Sequence, residues 1–205
     1  MSKKLMRIRT VSGLVSLAAA ILAMTSCGDV VRTSRSPVML VINSLSGGTP
    51  PSSFVLSDVV VNLTTPDPCS PATPCPTVFN DPGTASLTVV MKDVSVSPTT
   101  NNSVTINRYH VSYSRADGRN TPGQDVPFAI DGAATVTIPA GDTGSVGFEL
   151  VRHTAKGESP LVQLKTNNNH ISSTATVTFF GTDQVGNDIS VTGSIQVDFG
   201  NFGDQ

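Results

Sequence analysis

The chain has 205 residues, of which 38% are hydrophobic and 14% charged, with a formal net charge of -2. That length fits one domain or two small ones, and it is enough to bury a core without metal ions or many disulfides. Val and Thr supply 26 and 24 residues, which favours strands over helices; the β-branched content and low charge exclude a disordered chain and a coiled coil, and the near-neutral charge gives no support for a nucleic-acid binder.

Lys3, Lys4, Arg7 and Arg9 open the chain as a basic segment without acids. An apolar stretch follows from Val11 to Met24, relieved only by Ser12, Gly13 and Ser16. It is shorter than the ~20 residues a helix needs to cross a bilayer, and it has the build of a signal-peptide core. It ends in Met24-Thr25-Ser26-Cys27. Small residues before a Cys at this place resemble the lipobox of bacterial lipoproteins, although Met24 stands where Leu is usual. The resemblance implies that residues 1–26 are removed and that Cys27 becomes the lipidated first residue, carrying a palmitate-type anchor. Acyl chains in the plural would hold the protein firmly on a membrane, where a single chain would not. An ordinary cleaved signal with a chance Cys, or an uncleaved anchor, is the alternative.

Removal of residues 1–26 takes away four basic residues and no acid, so the net charge falls from -2 to -6. A chain of that charge is repelled by anionic lipid and by nucleic acid, so membrane association is expected from the lipid alone. Gly28, not Asp, follows Cys27. In enterobacterial lipoproteins Asp there signals inner-membrane retention. Gly28 therefore implies outer-membrane sorting in a source with two membranes. Residues 27–36 read as the lipidated Cys and a short tether.

From residue 37 onward the pattern is strands and turns. Val38–Ile42 is apolar on both faces, which predicts a strand buried on both sides. Phe54–Val61 is a second apolar run, with a bulge expected at Ser57-Asp58. Residues 64–84 hold six prolines and are expected to be an extended surface excursion and not a central strand. Cys69 and Cys75 lie within it and are best read as a disulfide in an oxidising compartment; a metal site and a redox pair are the alternatives.

Leu87, Val89 and Met91 alternate with polar residues, and 93–103 is a polar loop. Tyr109, Val111 and Tyr113 alternate with Arg108, His110, Ser112 and Ser114, and Val126–Ile130 reads as a short strand. Ala134, Val136 and Ile138 are followed, after the turn 139–144, by Val146, Phe148 and Leu150, which predicts a hairpin. A second hairpin is predicted between Ala175–Phe179 and Ile189–Phe199, across the turn-rich loop 181–188.

About nine strands, each with one apolar face, need a second sheet to cover them. The economical answer is an all-β, antiparallel sandwich, with a barrel as the alternative. The turn Thr182-Asp183-Gln184-Val185-Gly186-Asn187 and the stretch Thr137-Ile138-Pro139-Ala140-Gly141 resemble bacterial immunoglobulin-like and fibronectin-III-like modules. The resemblance covers under a tenth of the chain and implies a turn shape, not an activity. The antibody-type core of Trp and a widely spaced Cys pair is absent. One domain is expected from 37 to 205.

The search for chemistry gives little. His110 and His153 fall on polar strand faces and His170 in a loop; solvent-facing side chains explain all three. Glu149 and Glu158 are the only glutamates, and no nucleophile elbow, zincin helix, phosphate loop or dinucleotide fingerprint occurs. No catalytic residue and no cofactor is expected. Asp183, Asn187 and Asp188 could offer oxygens to calcium, but the loop does not match the EF-hand pattern, and turn formation explains the same residues. The loop Arg115–Asp125 is a candidate partner surface, through Arg115, Asp117, Arg119 and Asn120.

The expectation is therefore an exported, lipid-anchored, non-catalytic binding or structural module of the cell envelope, an accessory subunit or scaffold for a protein partner. A glycan- or surface-binding adhesin is the alternative; lacking Trp, it would rest on Tyr109 and Tyr113. A hydrolase is the remote third reading.

Overall fold

The computed structural model of the chain describes residues 35–203. The expected signal segment 1–26, the lipidation candidate Cys27 and the expected tether as far as residue 34 lie outside the described residues. All elements belong to one compact unit that begins at Pro37. Among the described residues there are ten strands and two short 3₁₀ helices. The strands are β1 (Val38–Gly47), β2 (Phe54–Asp58), β3 (Val61–Leu63), β4 (Cys75–Thr77), β5 (Asp81–Met91), β6 (Ser103–Ser114), β7 (Ile130–Pro139), β8 (Thr143–Val151), β9 (His170–Asp183) and β10 (Asp188–Gly200). The helices are η1 (Ala155–Gly157) and η2 (Leu161–Thr166).

The fold is all-β and sandwich-like. One sheet has the order β1-β5-β8 and the other β2-β10-β9-β6-β7, while β3 and β4 form a small separate ribbon. The main sheets are open, each with two edge strands, so the barrel alternative does not apply. The pairs within them are antiparallel except for β2, which lies parallel to β10 with Phe54 opposite Gln196.

Alternation places the core. Ala85, Leu87 and Val89 of β5 and Val146, Phe148 and Leu150 of β8 face inward from the smaller sheet. Ala175, Val177 and Phe179 of β9 meet them from the larger sheet, with Ile195, Val197 and Phe199 of β10. Aromatic rings cross the interface: Phe148 lies 5.7 Å from Tyr109 and 5.5 Å, edge-on, from Phe179. Such tilted and edge-to-face pairs add about 0.5–1.5 kcal/mol each to the burial of their area.

The hairpin β9–β10 forms as expected, with its register running from Asp188 opposite Thr182 to Gly200 opposite His170. The other predicted hairpin does not. β7 pairs with β6 and β8 pairs with β5, so the turn 139–144 carries the chain from one sheet to the other. Backbone bonds from Gly141 N to Val89 O at 2.7 Å and from Val89 N to Asp142 O at 3.3 Å hold that crossing on the smaller sheet. Inward residues at every second position suit a hairpin and a crossing equally; only the pairing partner distinguishes them.

Other expectations are corrected at the sheet edges. β1 is an edge strand: Val38 and Leu40 are buried but Met39 and Val41 are exposed, so it is not covered on both faces. The run 54–61 splits, with β2 ending at Asp58 where a bulge was expected, and Val61 starting a strand in the small ribbon. Val126–Ile130 is not a strand of its own; Val126 makes an isolated bridge to Pro122, and Ile130 opens β7.

The Pro-rich excursion is shorter than 64–84. Cys75–Thr77 is β4, and Asp81 begins β5, which is the middle strand of its sheet. Pro82 is tolerated there because the register shifts between Asp81 and Pro82, where a missing N–H costs no ladder bond. The disulfide does form, Cys69 to Cys75, with Cα atoms 5.3 Å apart, and it clips the excursion beside the β3–β4 ribbon. The segment 152–166 folds into η1 and η2 and buries Leu161 and Leu164.

Candidate functional site

The loop after β6 carries the residues expected to meet a partner, and the structure brings them together. The guanidinium of Arg115 pairs with the Asp117 carboxylate through Nε at 3.1 Å and through its terminal nitrogen at 2.5 Å. Asn120 Oδ1 accepts from the Arg115 amide at 2.6 Å, and Asp117 Oδ1 accepts from the Arg119 amide at 3.1 Å. Arg119 in turn reaches Asp125, whose carboxylate also accepts from the Thr121 amide at 3.2 Å. The Arg115 guanidinium, joined by the Arg119 amide, holds the Asp117 carboxyl below the usual carboxylate range. Gly118 supplies the positive φ of 81° that the turn needs.

Charge and backbone in this loop therefore satisfy one another and fix its shape. What it presents outward is the Arg119 side chain, 65% exposed. At the loop's start Ala116 joins Ser172, Ser173, Thr174 and Gln196 around a surface hollow of about 210 Å³.

A second cluster was not legible in the sequence. His110 Nδ1 lies 3.1 Å from Asp131 Oδ1, and Arg108 stacks over the Phe180 ring, 4.1 Å from its centroid. Arg152 donates to the Asp131 carbonyl at 2.7 Å and to Glu149 at 3.2 Å. Asn80 links Glu149 onward to His153, donating to the carboxylate at 2.6 Å and lying 2.8 Å from His153 Nδ1 through its carbonyl. Two histidines that looked isolated thus sit at the two ends of one hydrogen-bonded chain running over β6, β7 and β8. The signal was the crossing from β7 to β8, which a hairpin reading conceals.

The turn 183–188 uses its oxygens on itself. Asp183 Oδ1 accepts from the amides of Val185 and Asn187 at 3.1 and 2.8 Å, and Oδ2 accepts from Asn187 Nδ2 at 2.8 Å. Gly186, at φ 85°, closes the turn. Asp188 lies beyond it as the first residue of β10, so Asp183, Asn187 and Asp188 are arranged as a hairpin connection. Among the described residues no three His, Cys, Asp or Glu side chains are grouped to hold a metal ion.

The two tyrosines named as a sugar platform are buried. Tyr109 accepts from the Glu149 amide at 3.1 Å, and Tyr113 donates to the Leu150 carbonyl at 2.5 Å. Exposed apolar side chains, Phe79 and Phe128 among them, are spread over the molecule, and two lie side by side on an edge strand of the larger sheet. Phe54 is 48% and Leu56 53% exposed, both on the outer face of β2. Beside them Gly47–Pro50 and Ser52 line a hollow of about 320 Å³.

No family model matches the chain, and neither the curated proteins nor the solved structures contain a match to it.

Proposed function

We propose that this chain is a lipid-anchored protein of the bacterial envelope, acting as a non-catalytic binding or structural module, an accessory subunit or scaffold. The anchoring rests on the basic start, the 14-residue apolar stretch and Met24-Thr25-Ser26-Cys27. The binding role rests on one observation above the others: the outward Phe54 and Leu56 on edge strand β2, next to a hollow. An edge strand offers unpaired backbone groups, and apolar side chains along it add the burial that turns such an edge into an interface. The Arg115–Asp125 loop, shaped by its own ion pairs, is a second contact surface, because a preformed loop loses little entropy on binding. The adhesin alternative no longer has exposed tyrosines to offer a glycan.

Crosslinking and copurification of the full-length protein from its native membranes tests this, with Cys27→Ser as the control. The expected result is a specific protein partner at near-equal stoichiometry, reduced in the control, with crosslinks at 54–56 or 115–125. Phe54→Ser combined with Leu56→Ser should lower recovery of the partner while leaving the fold intact. Recovery of the protein alone overturns the subunit reading.

A further inference from the structure

Lys156 is fully buried, with 1% exposure. It lies in η1, far along the chain from the strands it enters. Its ammonium nitrogen stands 3.1 Å from Oδ1 and 3.0 Å from Oδ2 of Asp81, the first residue of β5. A third buried group completes the cluster: Ser57 of β2 donates through Oγ to Asp81 Oδ2 at 2.5 Å. Asp58 adds its negative charge to the surroundings of Asp81, whereas Arg152 and Glu149 are engaged with each other.

Removing two ions from water is costly, and where they are largely buried their attraction offsets this only in part. Transfer of one proton from the ammonium to the carboxylate removes both charges. Burial works against the charged carboxylate, and it holds the Asp81 carboxyl above its usual range against the opposing pull of Lys156. The products of the transfer are an amine and a carboxylic acid in contact. Reacting atoms held about 3–3.5 Å apart with fixed orientation gain an effective molarity of roughly 10⁵–10⁸ M. An amine nearly equidistant from both oxygens of a carboxyl is close to the carbon between them.

We propose that Lys156 Nζ condenses with the Asp81 side chain, forming an intramolecular isopeptide bond. Nζ attacks Cγ of the neutral acid, and a carbon–nitrogen bond forms. The Cγ–Oδ1 bond breaks, and that oxygen leaves as water with the acid proton and one hydrogen of the amine. Nothing is oxidised or reduced, and no co-reactant enters. Oδ2, which carries the negative charge of the tetrahedral intermediate, accepts from Ser57 and remains as the amide oxygen. Burial of the product shields it from hydrolysis. The bond straps η1 to the start of β5 and closes a covalent loop across a separation of 75 residues.

Mass spectrometry of the full-length protein, isolated from its native membranes and digested with trypsin after reduction of the disulfide, decides the matter. The expected product is a branched peptide joining Asp81 to Lys156, lighter than its two parts by one water, with no cleavage after Lys156. Lys156→Arg keeps a cation but removes the nucleophile, and should restore the full mass. Asp81→Asn removes the carboxyl that takes the proton from Lys156, and should leave the two peptides unlinked. An unlinked Lys156 peptide in the wild-type digest, or a water still missing in Lys156→Arg, overturns the proposal. The wild-type measurement stands even where a variant does not fold.

Discussion

The phenolic oxygen of Tyr113 in β6 donates to the main-chain carbonyl of Leu150 in β8 at 2.5 Å, so one hydroxyl ties the two sheets through the middle of the core. The Tyr113 ring also meets Phe199 edge-on at 5.7 Å. Burial pushes the Tyr113 hydroxyl well above its usual range, so it keeps its proton and its donor role throughout neutral and mildly alkaline pH. Tyr113→Phe keeps the ring and deletes the bond. Urea unfolding should show a loss of about 1–3 kcal/mol, the cost of leaving a buried acceptor without its donor. A midpoint unchanged from the wild type would show that the interlayer bond contributes nothing.

Gly83 and Gly132 are roofed by aromatic rings of the core. A Cβ at Gly83 would lie 2.3 Å from Phe148 Cζ, and one at Gly132 would lie 2.2 Å from Tyr109 Cζ. Both rings belong to the core, so they cannot swing aside without opening it. Gly83→Val should destabilise by about 1–3 kcal/mol or more through overpacking. Gly147→Val, where nothing lies within 4 Å of the added Cβ, is the control and should be much milder in thermal unfolding.

The Arg115–Asp125 loop should loosen in acid. Asp117 has a lower pKa folded than unfolded, since the Arg115 guanidinium stabilises its charged form. Such a group contributes order that is fully present above its unfolded value, near 4, and is lost as pH falls through the lower folded value. NMR titration of the Asp117 carboxyl should therefore give a midpoint below the ordinary one, with the Arg119 amide shifting in step. Arg115→Ala should move that midpoint upward. Titration of Asp117 at the ordinary value in the wild type would remove the ion pair as the loop's organiser.

The Cys69–Cys75 bridge closes a short ring in a segment attached to the β3–β4 ribbon. Loop-closure entropy limits its contribution to about 2 kcal/mol. The ribbon stands apart from both main sheets, so the effect should be local. Paired Cys69→Ser and Cys75→Ser substitutions should speed limited proteolysis within 64–74 and leave the main thermal transition nearly in place. A large fall in that transition would show that the ribbon is cooperative with the core.

Much of this protein follows from its sequence through the period-two pattern. Ile189–Phe199 and Ala175–Phe179 alternate so regularly that strand, facing and hairpin are all legible from local sterics and burial. The disulfide was legible from two cysteines in one Pro-rich loop. Tertiary structure decided what alternation leaves degenerate. The register of β6 shifts between Ile106 and Arg108, which moves the inward set from Val104 and Ile106 to Tyr109, Val111 and Tyr113. The pairing of β7 with β6 and of β8 with β5 depends on non-local hydrogen bonds, which no local window contains. The cluster of Ser57, Asp81 and Lys156 joins three elements scattered over a hundred residues of chain. A single buried lysine becomes tolerable only where the fold sets a carboxylate against it, and that meeting is a property of the packed sheets.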